Sequence, residues 1–367
     1  MPQDALPAQH KAVVFDKPGT ISAKVTTIDT PRPGYGEVLV KLTHSGVCHS
    51  DMAVMLNAWA ILPEPTPPGQ IGGHEGVGVI VALGPETQNS GLQIGDRAGI
   101  KYMADICGSC RQCLLGRDAF CPKGKISGYL TPGTFQQYVL APAHYVTPIP
   151  DGLDSALAAP LLCGGVTVFA GLAKCGAKPG DFVVISGAGG GLGHLAIQIG
   201  RGMGFRIIGV DASPKRELAM ESGAEAFFDH LSYTGPEGSE RLAQDIKAAT
   251  GHRDGAAAVI VCTASNAAYA QSLSFLQIGG TVVCLGIPEG PRKAITTADP
   301  GTFIERDLRI IASSVGTRKD AIDVLDMAAR GIVKSHVEIR PMDQLEQTFR
   351  EMDDCSLQGR VVLKLDQ

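Results

Sequence analysis

Between Phe182 and Leu285 the chain alternates short apolar runs with helical patterns, and no other feature restricts its possible folds as much. The runs Phe182–Ser186, Arg206–Val210, Ala257–Cys262 and Thr281–Leu285 have the length and the Val/Ile content of buried strands. Leu195, Ile199 and Met203 recur at helical spacing, and a charged helix is expected over Pro214–Ser222. Strands alternating with helices imply a parallel sheet with right-handed crossovers, a Rossmann-type doubly wound α/β domain.

The flanks read differently. Lys11–Phe15, Glu37–Leu42, Gly76–Leu83 and Phe135–Leu140 are candidate strands of a mainly-β region, punctuated by turns such as Pro31-Arg32-Pro33-Gly34. The last residues end in a strand-like Arg360–Leu365. A chain of 367 residues is too long for one ordinary core. The expected organisation is therefore a discontinuous outer domain, residues 1–164 and 314–367, enclosing a nucleotide-binding domain at residues 165–313.

Composition excludes several classes. Hydrophobic residues make up 44% and charged residues 19%, as in a soluble globular protein with a sizeable core. The formal charge of -5, with no lysine or arginine run, argues against nucleic acid or an anionic membrane as partner. Met1–Val13 lacks the apolar centre of a signal peptide, and the uncharged stretch Phe182–Gly200 is broken by glycines. A cytoplasmic protein is expected, in which ten cysteines suggest metal ligands or buried thiols.

Cys107, Cys110, Cys113 and Cys121 follow one another at spacings of three, three and eight. Four thiolates on one short loop give the closed tetrahedral shell of a structural Zn²⁺. A nucleic-acid zinc ribbon would want more net positive charge, since Lys101, Arg111, Arg117, Lys123 and Lys125 are partly offset by Asp105 and Asp118.

A second ligand set is scattered. Gly46-Val47-Cys48-His49-Ser50-Asp51 and Gly72-Gly73-His74-Glu75-Gly76 offer a thiolate and an imidazole, while a catalytic zinc needs about three protein ligands and an open position. Cys163, just before the proposed nucleotide domain, is a candidate third; packed core residues are the alternative for each of the three.

Ser186–Gly193 follows a strand and opens a helix. Its glycines, including Gly187, Gly190, Gly191 and Gly193 with Leu192 among them, permit a tight turn whose backbone approaches a pyrophosphate at a helix N-terminus. The common GxGxxG register is not matched; Ala188-x-Gly190-x-x-Gly193 and Gly187-x-x-Gly190-x-x-Gly193 are the available ones. Asp211 lies 18 residues beyond Gly193, where an acid meets the adenosine ribose and repels the extra phosphate of NADP. Lys215 and Arg216, also placed at the cofactor, pull the other way.

Taken together, these motifs resemble the zinc-containing medium-chain alcohol dehydrogenases, most closely the yeast and bacterial tetrameric branch. The resemblance spans nearly the whole chain through Gly46–Asp51, Gly72–Gly78, Gly95–Lys101, the four cysteines, Gly133–Tyr138, Leu161–Val168, Val184–Gly193 and Gly359–Val362. It implies a GroES-like catalytic domain beside the Rossmann domain, two zincs per chain, NAD(H), a small alcohol, aldehyde or ketone as substrate, and a tetramer or dimer. It further implies that Cys48, His74 and Cys163 ligate the catalytic zinc and that Glu75 can approach the metal during ligand exchange. Asp51 would orient the histidine and Ser50 accept the substrate proton. His49 and Arg360 fall near the cofactor pyrophosphate, Thr167 near the nicotinamide, and Trp59, Tyr102 and Ile287 near the substrate pocket, Ile287 beside the cofactor as well.

Two departures stand out. Relatives usually carry a histidine three residues after the proton-accepting hydroxyl, where this chain has Ala53, so the last proton step is expected to use water. The segment between Cys48 and His74 is longer than in yeast-like proteins and holds Pro63, Pro65, Pro67 and Pro68, which suggests a substrate larger than ethanol. The competing expectations are a zinc-free quinone or enoyl reductase of the same fold, and a non-catalytic nucleotide-binding protein.

Overall fold

In a computed structural model that describes residues 6–251 and 254–366, the chain forms two compact units. One comprises residues 1–166, 315–330 and 335–367; the other comprises 167–314 and 331–334. The first five residues of the N-terminal segment, in which no signal peptide was expected, lie outside the described part.

The first unit is mainly β. Its central strand, Glu37–Val47, pairs antiparallel with Gly76–Leu83, Tyr138–Pro142 and Arg360–Lys364, so the strand near the C-terminus joins strands from the first half of the chain in one sheet. Val337–Pro341 adds a parallel edge to Arg360–Lys364. A smaller sheet joins Gln9–Phe15 to Ala23–Asp29 and Gln70–Ile71. Alternate residues of these strands, including Val38, Val40 and Leu42, meet Phe15, Phe135 and Phe349 in one fully buried cluster. Two anticipated boundaries move. Phe135 precedes the strand that begins at Tyr138 and serves as a core side chain, and the central strand runs five residues beyond Leu42 to Val47.

The second unit is a six-stranded, wholly parallel sheet. Strand Phe182–Ser186 lies between Arg206–Asp211 on one side and Ala256–Val261 on the other; Ala226–Asp229, Leu276–Cys284 and Arg309–Ala312 complete it. The order reverses at Phe182–Ser186, and ligands of such sheets bind beyond the carboxyl ends of strands at that point. Its interior is aliphatic, with Val184, Ile208, Val259 and Val282 at or near zero exposure. The helix expected over Pro214–Ser222 resolves into a 3₁₀ turn, Ser213–Lys215, and an α-helix, Arg216–Glu221. Proline fixes the entry turn but cannot extend a helix backwards.

No single described helix is long and apolar enough to cross a membrane. The helices Ser155–Leu162 and Gly164–Lys174 reach that length only jointly and are bent by 51°.

Candidate active site

Three distant stretches bring donor atoms together in the first unit. Cys48 caps the N-terminus of helix His49–Leu56 in extended conformation. His74 and Glu75 sit on the turn between Gln70–Ile71 and Gly76–Leu83, and Cys163 ends the 3₁₀ turn Ala159–Leu162. The ligand atoms of Cys48, His74, Glu75 and Cys163 all lie within 4.8 Å of one another, and all four residues are buried.

Asp51 organises this cluster. One carboxylate oxygen accepts the Cys48 N–H at 2.9 Å; the other accepts the Gly73 N–H at 3.1 Å and the His74 Nδ1 at 2.7 Å. A bond from Nδ1 fixes the tautomer and turns Nε2 toward the sulfurs. Burial opposes protonation of His74, but the Asp51 carboxylate more than offsets it and holds the imidazole well above its ordinary value. The Cys48 thiol is held well below its ordinary value, first by a hydrogen bond from Cys163, then by Arg360 and His74.

Glu75 is fully buried and paired with Arg360. Burial pushes its carboxyl up to about 7 against the pull of that guanidinium. Gly46 is required beneath it, because a Cβ there would stand 1.9 Å from Glu75 Oε2. His74 Nε2 and Glu75 Oε2 are buried without any partner among the described residues. Orphaned buried acceptors of this kind are costly unless something cationic satisfies them. An imidazole nitrogen and two thiols around one point have the chemistry of a Zn²⁺ shell with room for a further ligand. The residues fit that metal.

The four-cysteine loop forms a second cluster. Cys107, Cys110, Cys113 and Cys121 also place their sulfurs within 4.8 Å of one another, but three of them are only half-buried. Three of their Sγ pairs, Cys107–Cys113, Cys110–Cys113 and Cys107–Cys121, stand 4.0, 3.5 and 3.6 Å apart. Tetrahedral Zn–S bonds of about 2.3 Å require sulfurs about 3.8 Å apart, so this loop fits zinc as it stands. The backbone N–H groups of Cys107 and Cys110 donate to Cys121 and Cys107 sulfurs at 3.4 and 3.3 Å. Donation from the Ser109 backbone leads in pulling the Cys107 thiol down to about 6.

In the second unit the glycine turn joins strand Phe182–Ser186 to helix Gly193–Gly202. Gly193 packs so closely that a Cβ would lie 2.0 Å from the Gly187 carbonyl oxygen, the tight helix–strand contact of a nucleotide turn. Asp211 ends the neighbouring strand, and its carboxylate accepts the N–H groups of Gly189 and Ala212 at 2.9 and 2.8 Å. The acid is thereby held at the mouth of the turn. Arg216 turns instead toward Phe227, 5.5 Å from its ring centre and 3.4 Å from its carbonyl oxygen.

The chain is similar to known proteins over nearly its whole length. Residues 34–151 match the alcohol dehydrogenase GroES-like domain and residues 191–330 the zinc-binding dehydrogenase domain. The chain is 56% identical over 361 residues to alcohol dehydrogenase 2 of Emericella nidulans, covering 98% of each chain. It is 37% identical to alcohol dehydrogenase 1 of the same organism, over 98% of this chain and 99% of that one. The acetophenone reductase of Geotrichum candidum, solved in complex with NAD, has a TM-score of 0.83 at 28% identity, with 98% of both chains covered. This chain is a zinc-type medium-chain alcohol dehydrogenase.

The remaining residues expected at the dehydrogenase site are placed as follows. Ser50 is half-buried, its Oγ 3.6 Å from Cys48 Sγ, while His49 beside it is exposed. Tyr102 stands edge-on to His74, ring centroids 5.3 Å apart. Trp59 is 7% exposed, on the segment after helix His49–Leu56. Ala53 is fully buried inside that helix, so a relay histidine would have to displace core there. Arg360 faces Glu75 within the first unit; Thr167 is buried in helix Gly164–Lys174, and Ile287 and Lys215 are half-buried in the second unit.

Sequence reasoning did not find the braces behind the metal turn. Thr134 Oγ1 accepts the Glu75 N–H at 3.3 Å and meets Ser45 Oγ at 2.7 Å. Thr134 N–H and Ser127 Oγ both donate to the Gly73 carbonyl at 3.0 Å. Gly133–Tyr138 carried a family signal but no chemistry, and hydroxyls that act only through backbone groups leave none to read.

Proposed function

We propose that this dehydrogenase interconverts an alcohol and its aldehyde or ketone with NAD(H), at a zinc held by Cys48, His74 and Cys163. The observation that carries this reading is the orphaned His74 Nε2, converging with two thiols while Asp51 holds the opposite ring nitrogen. Zinc bound there supplies the Lewis acidity that lets an alcohol lose its proton near neutral pH. NAD⁺ supplies the hydride acceptor.

The chain's own residues do the rest. Asp51 keeps the imidazole in the ligating tautomer and, through the Cys48 N–H, fixes the helix start that carries Ser50. Ser50 Oγ receives the alcohol proton. With Ala53 buried and unable to relay it, the proton passes onward to water. Glu75, balanced between burial and Arg360, is a reserve carboxylate for exchange of ligands. Asp211 takes the adenosine ribose at the Ser186–Gly193 turn and favours NAD over NADP, with His49, Thr167, Lys215, Arg216, Ile287 and Arg360 as further cofactor contacts. The domain assignment that goes with these roles is residues 1–164 and 314–367 for catalysis and 165–313 for NAD. The four cysteines hold a second, structural zinc. A cytoplasmic tetramer is the state in which the enzyme is expected to work.

Metal analysis of the purified protein and NADH absorbance with a panel of alcohols, using NAD and NADP in turn, test this reading. Two zincs per chain with NAD-linked oxidation are expected. One zinc per chain, with quinone or enoyl reduction in place of alcohol oxidation, would overturn it.

A further inference from the structure

The mouth of the Ser186–Gly193 turn has a second wall. The chain beyond Asp211 folds back onto the turn, so that a Cβ at Gly189 would stand 2.5 Å from the Lys215 Cβ and 2.6 Å from its carbonyl oxygen. Arg216 follows and starts the helix Arg216–Glu221. An arginine near this place is what accommodates the 2′-phosphate of NADP in dinucleotide-binding folds. Here it is turned aside. Its guanidinium lies 5.5 Å from the centre of the Phe227 ring and donates to the Phe227 carbonyl at 3.4 Å.

Phe227 is buried on the strand Ala226–Asp229, which pairs in parallel with Arg206–Asp211. In that register Gly209 is the partner of Phe227 and Asp211 the partner of Asp229. Residues two apart on a strand share a face, and neighbouring strands lie about 5 Å apart, so the four form one patch of the sheet. A Cβ at Gly209 would stand 3.4 Å from Phe227 Cδ2 and 3.0 Å from the Ala188 Cβ, so the ring and the nucleotide turn share the space over this glycine. Asp229 brings a second carboxylate beside Asp211. It accepts the Leu231 N–H and the Ser232 hydroxyl, both at 3.0 Å, and a hydrogen bond with Ser213 ties it to the second wall.

We propose that the strand Ala226–Asp229 shares in the choice of NAD over NADP: Phe227 keeps Arg216 away from the 2′-position, and Asp229 adds a second negative charge where a 2′-phosphate would lie. This inference rests on the NAD reading and deepens it, because Asp211 then discriminates together with two residues of the neighbouring strand. A cation five residues beyond Asp211 does not admit NADP while an aromatic ring holds it elsewhere.

The test needs no turnover. NADH and NADPH are titrated onto the zinc-loaded protein by their nicotinamide fluorescence, and the readout is the ratio of dissociation constants, NADPH over NADH. Loosened packing that weakens both dinucleotides alike leaves this ratio unmoved. Phe227→Leu keeps the site apolar but releases the guanidinium, and should lower the ratio about two- to fivefold, the worth of a cation–π contact at an exposed site. In Phe227→Leu/Arg216→Met that gain should vanish. Asp229→Asn keeps an acceptor for the Leu231 N–H and removes the charge. It should lower the ratio about three- to tenfold at low salt, and by less at about 0.5 M salt, where exposed charges are screened. A wild-type ratio in Phe227→Leu or in Asp229→Asn, or a Phe227→Leu gain that survives Arg216→Met, would overturn the proposal. If wild-type protein binds neither dinucleotide, the NAD reading itself fails, a result separate from any change of ratio.

Discussion

The two metal clusters of this chain are built in opposite ways. The four-cysteine cluster comes from a single loop, is half exposed, and offers sulfur alone. The Cys48–His74–Cys163 cluster comes from three separate stretches of chain, is buried, and mixes sulfur with nitrogen beside the Glu75 carboxylate paired with Arg360. A closed loop of one donor type can do little except bind and hold. A site assembled from distant segments can combine unequal donors, and its geometry depends on the whole fold around it. On the proposed function, chemistry falls to the second cluster and local stability to the first.

Four substitutions break or sharpen this contrast. The largest effect is expected from Cys48→Ala, which should cost at least about a thousandfold in turnover, some 4 kcal/mol of transition-state stabilisation, and leave one zinc per chain. Metal analysis beside NADH absorbance checks it, and near-normal turnover would show that the dispersed cluster is not the catalytic one. Asp51→Asn keeps the shape of the brace but weakens its hold on His74 and the Cys48 N–H. Zinc affinity should drop about 10- to 100-fold, as for other carboxylates behind metal-bound histidines, when followed by competition with a chromophoric chelator.

Gly46→Ala tests how tightly the reserve carboxylate is packed. Its added methyl overlaps Glu75 Oε2, and overpacking of this kind costs about 1–3 kcal/mol in urea-induced unfolding. A variant as stable as wild type would mean that the Glu75–Arg360 pair moves freely. The smallest effect on turnover is expected from Cys113→Ser. It should remove the lobe metal and lower the melting temperature by several degrees, at about 2–4 °C per kcal/mol for a domain of this size. Turnover per intact catalytic zinc should stay within a few-fold of wild type.

The same contrast explains what could be read from the sequence. Cys107, Cys110, Cys113 and Cys121 announce themselves because their spacing alone closes a loop around an ion. Cys48, His74 and Cys163 do not; they were only candidates until resemblance to a family singled them out, since no local rule brings residue 163 to residue 48. The parallel sheet was legible because strands buried on both faces must be continuous apolar runs, as Phe182–Ser186 is. Phe135 was misplaced in a strand because an aromatic in an apolar run looks alike whether it extends a ladder or fills a core. The Thr134 brace was invisible for another reason: it holds the metal turn through the Glu75 N–H and the Gly73 carbonyl, backbone groups that every residue has.

Cobalt exchange tests most directly the claim that one cluster is open and the other closed. With cobalt in both clusters of wild-type enzyme, adding an alcohol should shift the visible d–d absorption of one ion per chain. In Cys48→Ala, which retains only the lobe ion, the spectrum should ignore the alcohol. A wild-type spectrum that does not respond to any alcohol, with two ions bound, would contradict the open coordination position on which this account depends.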